Sequence, residues 1–423
     1  MVGALVVFCL TYLVIASRQL HWIGLDRPAG AIVGATAMVL VGGLPMDRAI
    51  AAIDMHVVVL LFGVLLIAAY LAEARFFKFT AYHVLVRARS ARSLLFGLTF
   101  VVGGLSALLL NDTVCVLLTP LVVSVVVEAR LPALPYLLAL ASAANVGGLV
   151  SFSGNPQNMI VGAAAQDTIG FLPYLVFTLP AGIACLAANA AIIAWLFRKE
   201  LPTEPLAQRS PPKPALDKPL AIKGLTALAA FAVLAACGVS LAGAAMIAAS
   251  GLMVVAGIGH AAPRPKKAFA LVDWQLLVFF AGLFIVVAGV AHAGVLDEIF
   301  GYVAPLVARG DIWGDLAFLA FIVVISNLVS NVPLVLVAVA WVPQMPDPAW
   351  GFVMLAVGST VAGNLTLFGS VANIIVMEGA GPRGEISFVR FLRYGSVITL
   401  VDLVVVFSIL YAERALGLLA AVT

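Results

Sequence analysis

Leu108-Leu-Leu-Asn-Asp-Thr-Val-Cys-Val-Leu-Leu-Thr-Pro120 sets three polar side chains, Asn111, Asp112 and Thr113, into an otherwise apolar stretch of chain. Leu94 to Leu110 runs into it and Val114 to Val127 runs out, so Asp112 is the one charge in 34 residues. A carboxylate at that depth in lipid is costly, so it should face protein or water and carry a function. Two apolar runs bent at a polar tip fit a re-entrant hairpin better than a single span. Ile325-Ser-Asn-Leu-Val-Ser-Asn-Val-Pro-Leu-Val-Leu336 has the same form about 220 residues later. There Asn331 takes the place of Asn111 and Val332 that of Asp112.

The composition agrees. Of 423 residues, 64% are hydrophobic and only 10% charged, where a soluble domain carries roughly 25% charged residues. The chain therefore reads as an all-α polytopic membrane protein held in a lipid bilayer. A net charge of +3 gives no reason to expect nucleic acid as a partner. Cys9, Cys115, Cys185 and Cys237 lie in apolar segments without metal-ligand spacing. They read as small core residues, not as disulfides or ligands. Val2 to Ala16 follows no basic stretch and reads as a retained helix, not a cleaved signal.

Outward from the two tips the chain divides into two matching halves. Residues 1–198 form a first repeat, with a hairpin at about 94–127 and a broken helix at about 135–162. Residues 199–219, charged and proline-rich, form a linker. Residues 220–423 form a second repeat, with a hairpin at about 316–342 and a broken helix at about 349–379. Asp54 and Gly63 match Asp273 and Gly282 at a spacing of 219, and Gly148, Gly154 and Asn158 match Gly363, Gly369 and Asn373 at 215. An internal repeat of this kind fixes the architecture. Arg75–Ser93, basic and aromatic, reads as an interfacial helix.

Each half then has five full crossings and one re-entrant hairpin. Five is odd, so the halves insert in opposite orientations. Following the crossings, only Arg48, Arg309 and Arg414 of the 23 Lys and Arg fall on the N-terminal side, which leaves 20 on the other. Basic residues collect on the cytoplasmic side. This puts both termini and the Asp167 loop outside, and the linker and Arg75–Ser93 in the cytoplasm. A multi-pass protein of the cell (inner) membrane is expected, with both hairpin tips at the midplane.

Asn145-Val-Gly-Gly148, Ser151-Phe-Ser-Gly-Asn-Pro-Gln-Asn158, Gly363-Asn-Leu-Thr366 and Gly369-Ser-Val-Ala-Asn373 interrupt apolar helices with glycine and amides. Such clusters can be close-packing motifs. Their recurrence after each hairpin favours unwound helices lining a cavity. Ser330 and Asn331 can cap a helix and bind a ligand with the same donors. Asp54 and Asp273 begin spans and read as N-caps. Glu73 and His292 sit near helix ends. Asp402 lies mid-helix in the last span, and a relay and a buried pair are equally open for it.

There is no HExxH, no G-x-S-x-G and no P-loop, and the five histidines are far apart. The chain is not expected to be an enzyme or to hold a cofactor. A secondary transporter is the leading class, ahead of a channel or a receptor-like scaffold.

Asn111-Asp-Thr-Val-Cys-Val-Leu-Leu-Thr-Pro120 and Ser326-Asn-Leu-Val-Ser-Asn-Val-Pro333 resemble the paired signatures of arsenite/antimonite permeases of the ArsB type. Gly154-Asn-Pro-Gln-Asn158 and Gly363-Asn-Leu-Thr-Leu-Phe-Gly-Ser370 resemble the wider ion transporter superfamily, which includes NhaD-type antiporters and divalent anion–sodium symporters. The resemblance covers nearly the whole chain. It implies an elevator-type transporter, usually a homodimer, in some cases with a cytoplasmic ATPase subunit. It places Asn111, Asp112, Thr113, Ser330 and Asn331 at hairpin tips. Gly147, Gly148, Asn155, Gly363, Asn364 and Thr366 fall at the helix breaks. It implies export of arsenite or antimonite against protons. Asp112, the only acid at either tip, reads as the coupling carboxylate. The symporters carry Ser-Asn-Thr at each tip, where this chain has Asn-Asp-Thr and Ser-Asn-Val. That departure favours a proton over sodium as coupling ion. Arsenous acid is mostly uncharged at neutral pH and needs hydroxyls and amides, and no Lys or Arg lies within either hairpin or broken helix. Sodium-coupled transport of a dicarboxylate or sulfate-like anion is the alternative.

Single cysteines at Arg209 and at Asp167 should label from opposite sides of the membrane, Arg209 from the cytoplasm. Labelling of both from one side refutes the inverted topology.

Overall fold

A computed structural model describes residues 2–16, 25–206, 213–258 and 265–422. Residues 17–24, 207–212 and 259–264, with Arg209 of the linker among them, lie outside these residues. Among the described residues the fold is helical throughout, apart from one isolated bridge between Ser90 and Pro205. Eight helices are long and apolar enough to cross a membrane, and five shorter apolar helices accompany them. Lipid offers the backbone no partners, so helices satisfy it internally.

Local chemistry sets the helix starts. Asp54 accepts from His56 N and Val57 N, and Asp273 from Leu276 N, so both are N-caps. Ser90 and Ser93 form a reciprocal capping box that opens the helix Ala91–Leu108. That box corrects the reading of Arg75–Ser93 as one helix. The helix there covers Phe76–Arg87, and the chain turns before Ser90.

Each predicted hairpin is a pair of helices. In the first half these are Ala91–Leu108 and Asn111–Glu128, joined through extended Leu109 and Leu110. In the second they are Ile312–Val329 and Asn331–Ala338, joined at Ser330. The second pair starts four residues before the expected 316, and its return arm stops at Ala338, short of the expected 342. A short 3-10 turn, Val342–Gln344, follows, and Trp341 stacks on Phe300. The broken helices are Ala133–Gly148 with Pro156–Ala164, and Pro348–Ala362 with Val371–Gly379.

Small residues set the packing around the first tip. A Cβ on Gly147 would overlap Gly103, so the helices 91–108 and 133–148 meet backbone to backbone. At one end of the second half, Arg414 reaches Asp315 at 3.1 Å and Asp347 at 2.9 Å and lies over the Trp350 ring. Tyr411 also donates to Asp315. This cluster ties the first arm of the second pair to the second broken helix and the last long helix. Glu73 lies 3.8 Å from Lys267, and His292 bonds Arg48, so both sit at helix ends with a basic neighbour. The cysteine reading needs correction. Cys115 and Cys185 are buried, but Cys9, on an outward helix face, and Cys237, at the cap of the helix Lys218–Ala236, are exposed.

Gly147→Val should destabilise the protein by about 1–3 kcal/mol or more through overpacking. Gly104→Ala, with open space around its Cβ, should be silent. Thermal unfolding in detergent checks both.

Candidate functional site

Each helix break leaves backbone carbonyls without helical partners, and one asparagine answers this in each half. Asn158 Nδ2 donates to the carbonyls of Gly148 at 2.9 Å and Ser151 at 3.2 Å. Asn373 Nδ2 donates to those of Gly363 at 2.7 Å and Thr366 at 2.9 Å. Donor and acceptors in the two halves correspond at the spacing of 215 found in the sequence. The tips also match. Asn111 Oδ1 accepts from Asp112 N, and Asn331 Oδ1 from Val332 N, each at 2.9 Å. The first tip is bonded directly to the first break, through Asn111 N and the Gly154 carbonyl at 2.9 Å.

Between the tips lies a cavity of about 240 Å³. Asn111, Asp112, Ser330, Asn331 and Thr366 line it, so the structure brings these five candidates together. Asp112 is 7% exposed. Ser330 has φ 74° and ψ 156°, a region open almost only to glycine. Holding serine there costs about 1–3 kcal/mol, and such strain clusters at functional sites. Both return arms begin at the cavity wall, so the positive ends of two helix dipoles face it.

The other six candidates stand behind the wall. Thr113 is half-buried and does not line the cavity. Gly147 packs on Gly103, while Gly148 and Gly363 admit the close backbone of 154 and 369. Asn155 caps Asn158 N at 2.8 Å and donates to Thr360 Oγ1 at 3.0 Å, which joins the two breaks. Asn364 accepts from Asn145 at 2.8 Å and donates to Asp402 at 3.0 Å. Asp402 has no exposure and no basic partner among the described salt bridges.

Several lining residues escaped the sequence reading. Asn327, Gln157 and Ser370 stand inside the quoted motifs, so the signal was present. Thr366 donates to Asn327 Oδ1 at 2.9 Å. Phe279, Phe280, Phe368 and Phe388 supply apolar wall, and no pattern in so apolar a chain marks them. Arg27, outside both hairpins, also lines the cavity, so the expected lack of basic residues holds for the tips and breaks but not for the whole wall. The buried hydroxyls of Ser106 and Ser326, each five residues before a tip asparagine, find no hydrogen-bond partner. A second cavity of about 360 Å³, lined by Asp54, His56, Gln166 and Ser240, lies by the opposite helix ends.

Among the described residues no cluster of His, Cys, Asp or Glu could hold a metal. The chain matches the family described as citrate transporter, CitMHS, over residues 12–358. It is 30% identical to the silicon efflux transporter LSI3 of Oryza sativa subsp. japonica, over 89% of each chain. It is 24% identical to arsB, named as a transporter, of Dictyostelium discoideum, over 90% of this chain and 86% of that one. The crystal structure of the YdaH transporter of Alcanivorax borkumensis superposes with a TM-score of 0.57 at 16% identity, covering 98% of this chain and 97% of that one, a likeness of fold. A polytopic helical fold, paired polar tips around one cavity and the match over residues 12–358 lead to one conclusion: this chain is a secondary transporter of the citrate transporter family, not an enzyme.

Proposed function

We propose that the chain exports small uncharged hydroxylated acids of the metalloid class, arsenite and antimonite foremost, in exchange for protons. The observation that carries this is the cavity wall: amides and hydroxyls from both halves, apolar rings, and the single carboxylate of Asp112 at the tips. Arsenous acid is a neutral hydroxide at neutral pH, and silicic acid shares that chemistry. Amide and hydroxyl groups can exchange hydrogen bonds with such hydroxyls without a fixed counter-charge. The relatives named for silicon efflux and as arsB support the same cargo class.

The mechanism is alternating access by an elevator motion of two inverted repeats. Matching contacts at the breaks, 215 residues apart, and at the tips, 220 apart, support the repeats. The cavity lies toward Arg27, Phe388 and the start of the helix Trp274–His292, the ends near which basic residues collect. By the positive-inside rule this is the cytoplasmic side, so the conformation is inward-open. The second cavity marks the outer route. Asp112 takes a proton when the site faces outward and releases it to the cytoplasm as cargo loads. The proton moves in as the solute moves out.

A second reading has its own support. Arg27 beside the cavity and the family description favour a carboxylate anion, with sodium as coupling ion. The unpartnered Ser106 and Ser326 hydroxyls would offer sodium oxygen ligands.

Expression in a strain lacking its own exporter should raise arsenite tolerance and lower cell arsenic. Unchanged tolerance together with sodium-dependent uptake of citrate or another carboxylate establishes the second reading instead. In everted vesicles, Asp112→Asn should cut gradient-driven arsenite accumulation at least about tenfold, equivalent to about 1.4 kcal/mol, with protein level unchanged. Normal accumulation with normal pH dependence removes Asp112 from the coupling step.

A further inference from the structure

Asp402 lies in the interior of the helix Phe388–Ala415, away from the cavity wall, and all of its hydrogen-bonding partners are donors. Cys185 Sγ donates to Oδ1 at 3.2 Å, and Asn189 Nδ2 and Asn364 Nδ2 donate to Oδ2 at 3.4 and 3.0 Å. Asn364 is itself one link of a chain. Its Oδ1 accepts from Asn145 Nδ2 at 2.8 Å, and Asn145 Oδ1 accepts from Asn111 Nδ2 at 3.1 Å. Three carboxamides thus run head to tail from the first hairpin tip to a buried carboxylate.

The chain is held at both ends, by Asp402 at one and by the Asp112 N–H at the other, and Asn145 Nδ2 also reaches Asn373 Oδ1 at 3.4 Å. Cys185, Asn189 and Asn364 all donate to Asp402, so Asn364 turns its NH2 to Asp402 and its oxygen to Asn145. Asn145 must then donate to Asn364 and turn its oxygen to Asn111. Asn111 must donate in turn, and its oxygen is left to accept the Asp112 N–H at 2.9 Å. Ser370, on the cavity wall, also donates to Asn145 Oδ1 at 3.0 Å, so the second break hangs on the same amide. Hydrogen bonds in such a chain polarise one another, so a change at one end is felt at the other.

We propose that Asp402 is a positioning residue for the transport site: through Asn364 and Asn145 it fixes the carboxamide of Asn111, and thereby the first turn of the return arm that carries Asp112. In the second half Thr360, not an amide, stands at the place of Asn145, so the same run of carboxamides is not built there. The control is therefore one-sided and acts on the tip that bears the acid. The arrangement deepens the transport reading above without depending on which solute is carried.

Asp402→Asn keeps the shape but can present either NH2 or oxygen to Asn364, so the chain is no longer held at that end. Asn145→Ser cuts the chain in the middle and leaves Asp402 and Asn111 in place. Hydrogen exchange of the peptide spanning 109–115, read by mass spectrometry on purified full-length protein, needs no substrate. Exchange at the tip should quicken about tenfold in Asp402→Asn, the size of one lost hydrogen bond. In the Asn145→Ser background Asp402→Asn should add nothing further. Equal acceleration in both backgrounds, or acceleration spread evenly over the protein, makes Asp402 merely structural and overturns the proposal. If Asp402→Asn does not fold, Asn145→Ser alone decides: unchanged tip exchange overturns it. Vesicle transport of arsenite by the same variants is scored separately. Wild-type protein that fails to move arsenite but shows the exchange pattern refutes the cargo, not the positioning role.

Discussion

An unwound backbone in the middle of a bilayer has no water to bond, so the two helix breaks exist only because protein groups satisfy them. Asn158 and Asn373 do most of this. Each bridges two carbonyls across its break, and with either side chain gone those carbonyls would be buried and unpaired. An unmet buried group costs about 1–3 kcal/mol. The rest of the site is built on these staples. Asn155 and Thr360 link one break to the other, the Gly154 carbonyl takes the Asn111 N–H, and Ser370 leans on Asn145.

The glycines serve the same end by absence. Gly148 and Gly154 lie against each other so closely that a Cβ on Gly154 would meet the Gly148 carbonyl at 2.5 Å. The tip can therefore approach the break closely enough for a backbone hydrogen bond. The result is a body in which hairpin, break and last helix share one continuous polar interior, sheathed by apolar surface. Rigidity of that body is what the proposed elevator motion requires, because the cavity would have to move without being remade.

Much of this was legible in the sequence. The polar tips, the breaks and the repeat spacings need only one residue of the wrong polarity in an apolar run to be seen. Asn111, Asp112, Ser330, Asn331 and Thr366 meet at one cavity as those patterns implied. Asn155, Asn364 and the glycines were legible as belonging to the breaks. Their place behind the wall was not, because spacing tells which residues share a segment and not which way a carboxamide turns. Arg27 was invisible for another reason. It lies in a loop-to-helix boundary far from the tips along the chain, and only the tertiary fold carries it to the cavity. Asp402 stood out as a buried acid, but its amide partners come from segments 38 and 213 residues away.

The two tips are unequal, with Asp112 on one and Val332 on the other. On the proposed cycle this makes the carrier itself a moving charge. A neutral cargo leaves beside the bare carboxylate, and the return trip carries a neutral acid, so each turnover displaces one elementary charge. The membrane voltage then does work on every cycle, about 2.3 kcal/mol per 100 mV. That alone could sustain a solute gradient of about fiftyfold, even with no difference in pH across the membrane.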